Sequence, residues 1–202
     1  MKEYSLSFTA GSLLFPETME VIELFLRESD WTIISKKVLT DNILQYKSPK
    51  STSRIFNEIK HRISQFNEEE LRYLLKSDRD TQTGMLWLAI CMQYRLIYEF
   101  AFEVIPEKMT LWEDSITYYD YERFYETKAE DSPRLANIAE STQYKAKTIV
   151  FKILHQVGIL NKNKIVPMIL PPALGEFIKN KDNSLFRLFP LNNRELERWL
   201  ND

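Results

Sequence analysis

The run Met85-Leu86-Trp87-Leu88-Ala89-Ile90-Cys91-Met92 is the longest strongly apolar stretch of the chain, and it has to be shielded from water on every side. A helix that is apolar all round is either a membrane span or the centre of a globular core. A span needs about 20 mostly uninterrupted apolar residues. Here Gln93 and Arg95 follow at once, and Glu99 and Glu103 come soon after. The pattern therefore predicts a buried central helix over about residues 81–104, ending before Pro106, with other helices packed around it. A chain of 202 residues is long enough for that arrangement, since roughly 70% of the unfolded surface can be buried at this size without a disulfide or metal. Only four glycines, against many Leu, Ile, Phe and Tyr, argue against a turn-rich all-β fold. The single cysteine, Cys91, excludes an internal disulfide and a cysteine-based zinc site, and suits a reducing compartment. The start, Met1-Lys2-Glu3-Tyr4-Ser5, places an acid early and lacks the apolar stretch of a secretory leader. A cytoplasmic protein away from the membrane is expected.

The formal net charge of −2 conceals a segregation. Residues 36–62 carry 7 basic and 2 acidic side chains and residues 133–170 carry 6 and 1, whereas residues 63–132 carry 7 and 15. Two basic segments flanking an acidic middle suggest parts with different partners. They also suggest three units: residues 1–66, 67–131 and 132–202.

In the first unit, Met19, Ile22 and Leu26 with Val21 and Phe25 make a helical stripe after Pro16. Glu17 and Glu20 suit the N-terminus of that helix. A second helix is expected over about residues 31–44, with Ile34, Val38 and Leu39 facing inward, broken by Lys47-Ser48-Pro49-Lys50. Ser51, Thr52 or Ser53 then caps a third, with Ile55, Ile59, Ile63 and Phe66 on its buried face and Arg54, Asn57, Lys60, His61 and Arg62 opposite. An apolar back and a basic front on the second of two linked helices is the layout of a helix-turn-helix.

In the middle, Asn67-Glu68-Glu69-Glu70 reads as a capping box ahead of Leu71, Leu74 and Leu75. Thr110-Leu111-Trp112-Glu113-Asp114 is expected to open a helix carrying Tyr118, Tyr119, Tyr121, Phe124 and Tyr125. Those aromatics read as packing rather than as a base-stacking platform, because their neighbours are Asp120, Glu122 and Glu126. The third unit begins with a short helix at Ser132-Pro133, carrying Leu135, Ile138 and Ala139 on its inner stripe. A longer one follows from Ser141 or Thr142, with Ile149, Ile153, Leu154 and Val157 inward and Gly158 as its stop. Its outward residues include Gln143, Tyr144, Lys145, Lys147, Thr148, Lys152 and His155. Two short apolar arms around Asn161-Lys162-Asn163-Lys164 then look like the wing of a winged helix, and a closing helix over about residues 192–200 is anchored by Trp199.

No phosphate loop, dinucleotide fingerprint, nucleophile elbow or metal-binding histidine pair is present in the sequence. His61 and His155 fall on separate basic helices, and Asp78/Asp80 and Glu113/Asp114 read as solvated acids. No catalytic residue, cofactor or metal is expected. The basic residues coincide with the second helix of each helix-turn-helix and recur on the wing, which points to nucleic acid. Lys and Arg would neutralise phosphates, while Arg54, Asn57 and Gln143 reach base edges. The candidate DNA-binding residues are Lys50, Arg54, Asn57, Lys60 and His61 on the first basic helix. Gln143, Tyr144, Lys145, Lys147 and Lys152 belong to the second, with Lys162 and Lys164 on the wing.

The opening Ser7-Phe8-Thr9-Ala10-Gly11-Ser12-Leu13-Leu14, followed by Glu17, resembles the N-terminal signature of the BrxA family. So do Val157-Gly158-Ile159-Leu160 through Ile165-Val166-Pro167, and Leu170-Pro171-Pro172 after them. BrxA proteins are small components of the BREX bacteriophage-exclusion systems of bacteria, and the likeness spans the whole chain. Ser12 departs from the family, which has a second small residue such as Gly there; Gly11 is left to serve a tight turn. The resemblance implies a helical protein, likened to the NusB-type RNA-binding antitermination fold, that binds nucleic acid, assists a defence complex and has no catalytic residues. Some members carry an inner-membrane label, against which the charges interrupting residues 85–105 argue. The expected protein is thus a mainly α helical bundle with N- and C-terminal helix-turn-helix-like units, the second winged by a small β-hairpin. It would bind double-stranded DNA beside other BREX components. RNA binding, or scaffolding through the acidic middle, are the rival readings.

Overall fold

In the computed structural model, which describes residues 3–201, a 3-10 turn at Ser7–Ala10 leads into α1 (Phe15–Glu28), α2 (Trp31–Thr40), α3 (Pro49–Ile63) and α4 (Glu68–Lys76). Next come α5 (Arg79–Gln93), α6 (Arg95–Thr110), α7 (Tyr118–Glu130), α8 (Pro133–Ala136) and α9 (Glu140–Val157). A hairpin of β1 (Leu160–Asn161) and β2 (Lys164–Ile165), then α10 (Pro172–Lys181), a 3-10 turn at Asn183–Leu188 and α11 (Asn193–Asn201) complete the chain. Met1 and Lys2, the start of the stretch read for a leader, lie outside the described residues.

The mainly α expectation is met, and the apolar run lies at the centre. Met85 to Cys91 are all buried, and the Trp87 indole N–H donates to the Leu188 carbonyl at 3.0 Å. No helix among the described residues is long and apolar enough to cross a membrane. Two close approaches lock the C-terminal helices onto this centre. A Cβ at Gly84 would come within 2.2 Å of Leu174 on α10, and one at Gly175 within 2.2 Å of the Trp199 ring on α11. Residues from all three charge-defined spans enter one buried core.

Several boundaries differ from the sequence reading. The central helix is two helices, because Tyr94 takes an extended backbone (φ −117°, ψ 102°) that delivers its phenol to the buried Glu58 carboxylate. Next, α6 runs through Pro106 instead of stopping before it. The donor lost there is outweighed by buried Ile105, by Met109 packed on the core, and by Lys108 bonding Asp120 at 2.7 Å. Residues 110–114 do not open a helix. They close α6, and then Asp114–Ile116 runs alongside the hairpin, with Ile165 N–H donating to Asp114 O and Ile116 N–H to Asn163 O, both 2.8 Å. The next helix starts at a capping box formed by Thr117 and Asp120.

Ser48 caps α3 by accepting from Ser51 N–H at 3.2 Å, with Pro49 in the first helical position where a missing donor costs nothing. Leu39, expected inside, is exposed on α2, while Ile34 and Val38 are buried. Ala139 is exposed, and α9 starts at Glu140 with no side-chain cap. Gly158, at φ 84°, ends α9 as expected, because a left-handed residue is needed there. The hairpin also matches its reading, with Leu160 paired to Ile165 and Asn161 to Lys164. Helix α10 carries no counterpart in the sequence reading.

Candidate nucleic-acid interface

Arg62, expected on the basic front of α3, points inward and is 2% exposed. Its Nε donates to Glu58 Oε1 at 2.6 Å, one turn earlier on α3, and its two Nη groups donate to the carbonyls of Ser12 and Gly11. Glu58 also accepts from the Tyr94 hydroxyl at 2.7 Å, and Ser7 Oγ donates to that hydroxyl oxygen at 3.3 Å. Burial first, and then the Glu58 charge, push the Tyr94 phenol well above its ordinary value, which keeps it a proton donor. From the other side, Gln156 of α9 accepts from Leu13 N–H at 3.0 Å. The segment around residues 9–14 is therefore held by α3 and α9 at once.

Gly11 does not serve a turn there. Its backbone is extended (φ −164°), and a Cβ would lie 2.7 Å from the Leu14 side chain, which would have to shift to admit it. Leu14 instead takes the left-handed conformation, φ 54°, and starts α1. Beyond it the Arg79 guanidinium lies over the Phe15 ring, its Cζ 3.3 Å from the centroid.

This pinned segment is the floor of a cleft of about 1000 Å³. Arg54 of α3 enters from one wall, Lys145, Lys152 and His155 of α9 from another, and Arg79 and Thr83 of α5 close the end. Among the described residues, Glu17 and Asp80 are the acids on its lining. The structure thus brings together Arg54, Lys145 and Lys152, which the sequence had placed in separate units. None of the three has an ion-pair partner among the described residues. Val157 and Gly158 of the second family-like motif line the same cleft as the first. His155 Nδ1 donates to the Leu160 carbonyl at 3.0 Å, which fixes the imidazole between helix and hairpin.

The other sequence candidates lie elsewhere. Lys50, Asn57 and His61 are exposed on α3 outside the cleft lining. Lys60 is half-buried with its Nζ 4.8 Å above the Trp31 ring. Gln143 donates its amide to the Ile138 carbonyl at 2.7 Å. Tyr144 is exposed, and Lys162 stands at the hairpin tip with φ 54°. Lys164 is exposed but pairs with Asp114 at 2.8 Å, which lowers the Asp114 carboxyl and raises the lysine. Lys147 is not on the outward face. It is buried, ion-paired with Glu122, and its Nζ lies 4.8 Å from the Tyr118 ring. Arg79 and Gln156 were missed, since an arginine between two aspartates and a lone glutamine carry no signal until the fold sets them beside residues 9–17.

Comparison with known proteins gives a consistent picture. The family model for BrxA matches residues 2–182. A protein called BREX protein BrxA from Bacillus cereus (strain H3081.97) is 26% identical over 161 residues, 80% of each chain. Another of the same name from Escherichia coli O9:H4 (strain HS) is 20% identical over 151 residues, covering 75% of this chain and 71% of that one. Among solved structures, an uncharacterized protein from Magnetospirillum magneticum superposes with a TM-score of 0.78 over 93% of this chain and 98% of its own, at 16% identity. That likeness is one of fold.

Proposed function

The chain belongs to the BrxA family, and from that premise we propose that it is a non-catalytic accessory component of a BREX phage-defence system that binds double-stranded DNA through the cleft above residues 9–17. One observation carries this reading. Arg54, Lys145 and Lys152 come from two distant basic segments, yet they line one cleft and keep their charges unpaired among the described residues. Unpaired cations on a shared face are what a phosphate backbone requires, because each contact releases condensed counterions.

Helix α9, flanked by the β1–β2 hairpin, takes the place of a recognition helix beside its wing, with Lys162 at the tip. Lys50, Asn57 and His61 extend the polar track along α3. Lys147 and Lys164 are engaged by Glu122 and Asp114 and contribute less. The test is fluorescence anisotropy with labelled duplex DNA, single-stranded DNA and RNA across a salt series, comparing wild type with Lys145→Glu/Lys152→Glu. We expect preference for duplex DNA, with the double variant shallower in salt slope by about two units. Preference for RNA, or an unchanged slope in the variant, overturns the reading.

A second reading rests on Trp112. It is 94% exposed at φ 57°, at the rim of an apolar groove of about 570 Å³ lined by Met109, Ile165, Phe186 and Leu191. Exposed apolar surface of this kind marks contact sites between proteins, and it would dock another BREX component. Co-purification of such a partner should survive nuclease and fail with Trp112→Ala.

A further inference from the structure

A second recess, of about 780 Å³, lies beside the cleft and shares Lys152, His155 and Gln156 with it. Its other lining includes Tyr118, Tyr119 and Phe151, with Asn163 of the hairpin at its edge, and no carboxylate among the described residues. In the sequence these tyrosines stand among acids, which argued against a stacking platform. The fold removes that objection from the recess, because Asp120, Glu122 and Glu126 all lie outside its lining. Glu122 is neutralised by Lys147, and Asp120 is held by Lys108 at 2.7 Å and by the Thr117 backbone N–H at 2.7 Å. Tyr118 is braced edge-on against Phe151, centroids 4.6 Å apart, with Lys147 over its ring. The Tyr119 side chain makes no ring contact or hydrogen bond among the described residues, and the residue is 66% exposed.

We propose that this recess receives an unpaired nucleobase, stacked on Tyr119, while the adjoining phosphate sits on Lys152 as the strand crosses from the cleft. Asn163 supplies an amide at the base edge. An aromatic face beside an unpaired cation, without acids, is the chemistry that holds a splayed base and tolerates any of the four. A fully paired duplex keeps its bases stacked and does not use the recess. The proposal rests on the DNA reading above, and the experiment separates the two.

The full-length chain is titrated by anisotropy with a paired duplex and with the same duplex carrying one bulged 2-aminopurine. Stacking on a ring is lost with the ring, so the bulged duplex should bind about fivefold or more tighter than the paired one. Its 2-aminopurine emission should change on binding. Tyr119→Ala should abolish both the preference and the emission change and leave paired-duplex affinity unaltered, while Tyr119→Phe keeps both. Because Tyr119 is exposed, the alanine variant should fold, which its melting curve checks. Equal affinity of wild type for the two duplexes, or a preference that survives Tyr119→Ala, overturns the recess alone. No binding of either duplex at low salt overturns the cleft reading and the recess with it.

Discussion

Replacing Arg62 with methionine should destabilise the protein and weaken DNA binding, although Arg62 touches no ligand in any reading of the cleft. The substitution keeps an unbranched apolar stem, which ends near the position of Nε, and removes the charged, hydrogen-bonding guanidinium. Glu58, buried on the same helix, would lose its cation and keep a single donor, the Tyr94 hydroxyl at 2.7 Å. The carbonyls of Gly11 and Ser12 would lose their donors as well. Removing one partner of a buried ion pair costs about 3–5 kcal/mol. For a chain of this size each kcal/mol lowers Tm by about 2–4 °C, so a fall of about 6–20 °C is expected. Substituting both partners, Glu58→Leu with Arg62→Met, removes the stranded carboxylate and should recover part of the loss. The carbonyls of residues 11 and 12 stay without donors, however, so DNA affinity should remain weakened in the double variant. Thermal unfolding by circular dichroism reads the first effect, and duplex anisotropy below the melting range reads the second. An Arg62→Met variant melting within about 2 °C of wild type would refute the energetic argument. Unchanged DNA affinity in a folded variant would refute the role of residues 9–14 as the cleft floor.

Two further predictions follow from local chemistry. Ser48→Ala should cost about 1 kcal/mol as loss of the α3 cap, whereas Ser53→Ala should stay within about 0.5 kcal/mol; equal melting points for the two would contradict the assignment of Ser48 as cap. Burial, reinforced by hydrogen bonds to Glu99 and Glu17, pushes the phenols of Tyr4 and Tyr46 up to about 12. Both values are raised in the folded chain, so the stability they contribute is present below pH 10 and is lost as pH rises from about 10 to 12. Denaturant melts of Tyr4→Phe/Tyr46→Phe should show a shallower alkaline fall than wild type over that window. A parallel fall would count against both hydrogen bonds.

Much of the fold was legible because its signals are local. The Asn67 capping box, the Ser132-Pro133 start, the Gly158 stop and the Ile55/Ile59/Ile63 stripe each depend on residues within a few positions of one another. The misplaced boundaries are those where a distant contact outweighs a local preference. Tyr94 breaks a run of good helix formers to reach Glu58. Pro106 stays within α6 because its neighbours are packed. Residues 114–116 follow the hairpin because Asn163 and Ile165 supply their hydrogen bonds. The family-like motifs around Gly11 and Gly158 were also legible, but not the reason they belong together.

By itself, the sequence determined a helical chain with a buried centre, two basic segments and the caps that start and stop its helices. Those properties follow from hydrophobic spacing, charge count and side-chain bonds to the nearby backbone. Only the tertiary structure decided which cations are available to a ligand. Arg62 and Lys147 carry the same charge as Arg54 and Lys145, and each shares a helix with its counterpart, about two turns away for the arginines and two residues away for the lysines. Glu58 and Glu122 neutralise the first two inside the fold, while Arg54 and Lys145 are left facing one cleft. The physical reason is that a charge's availability depends on its distance from opposite charges and from water, and both distances are set by packing between segments far apart in the chain.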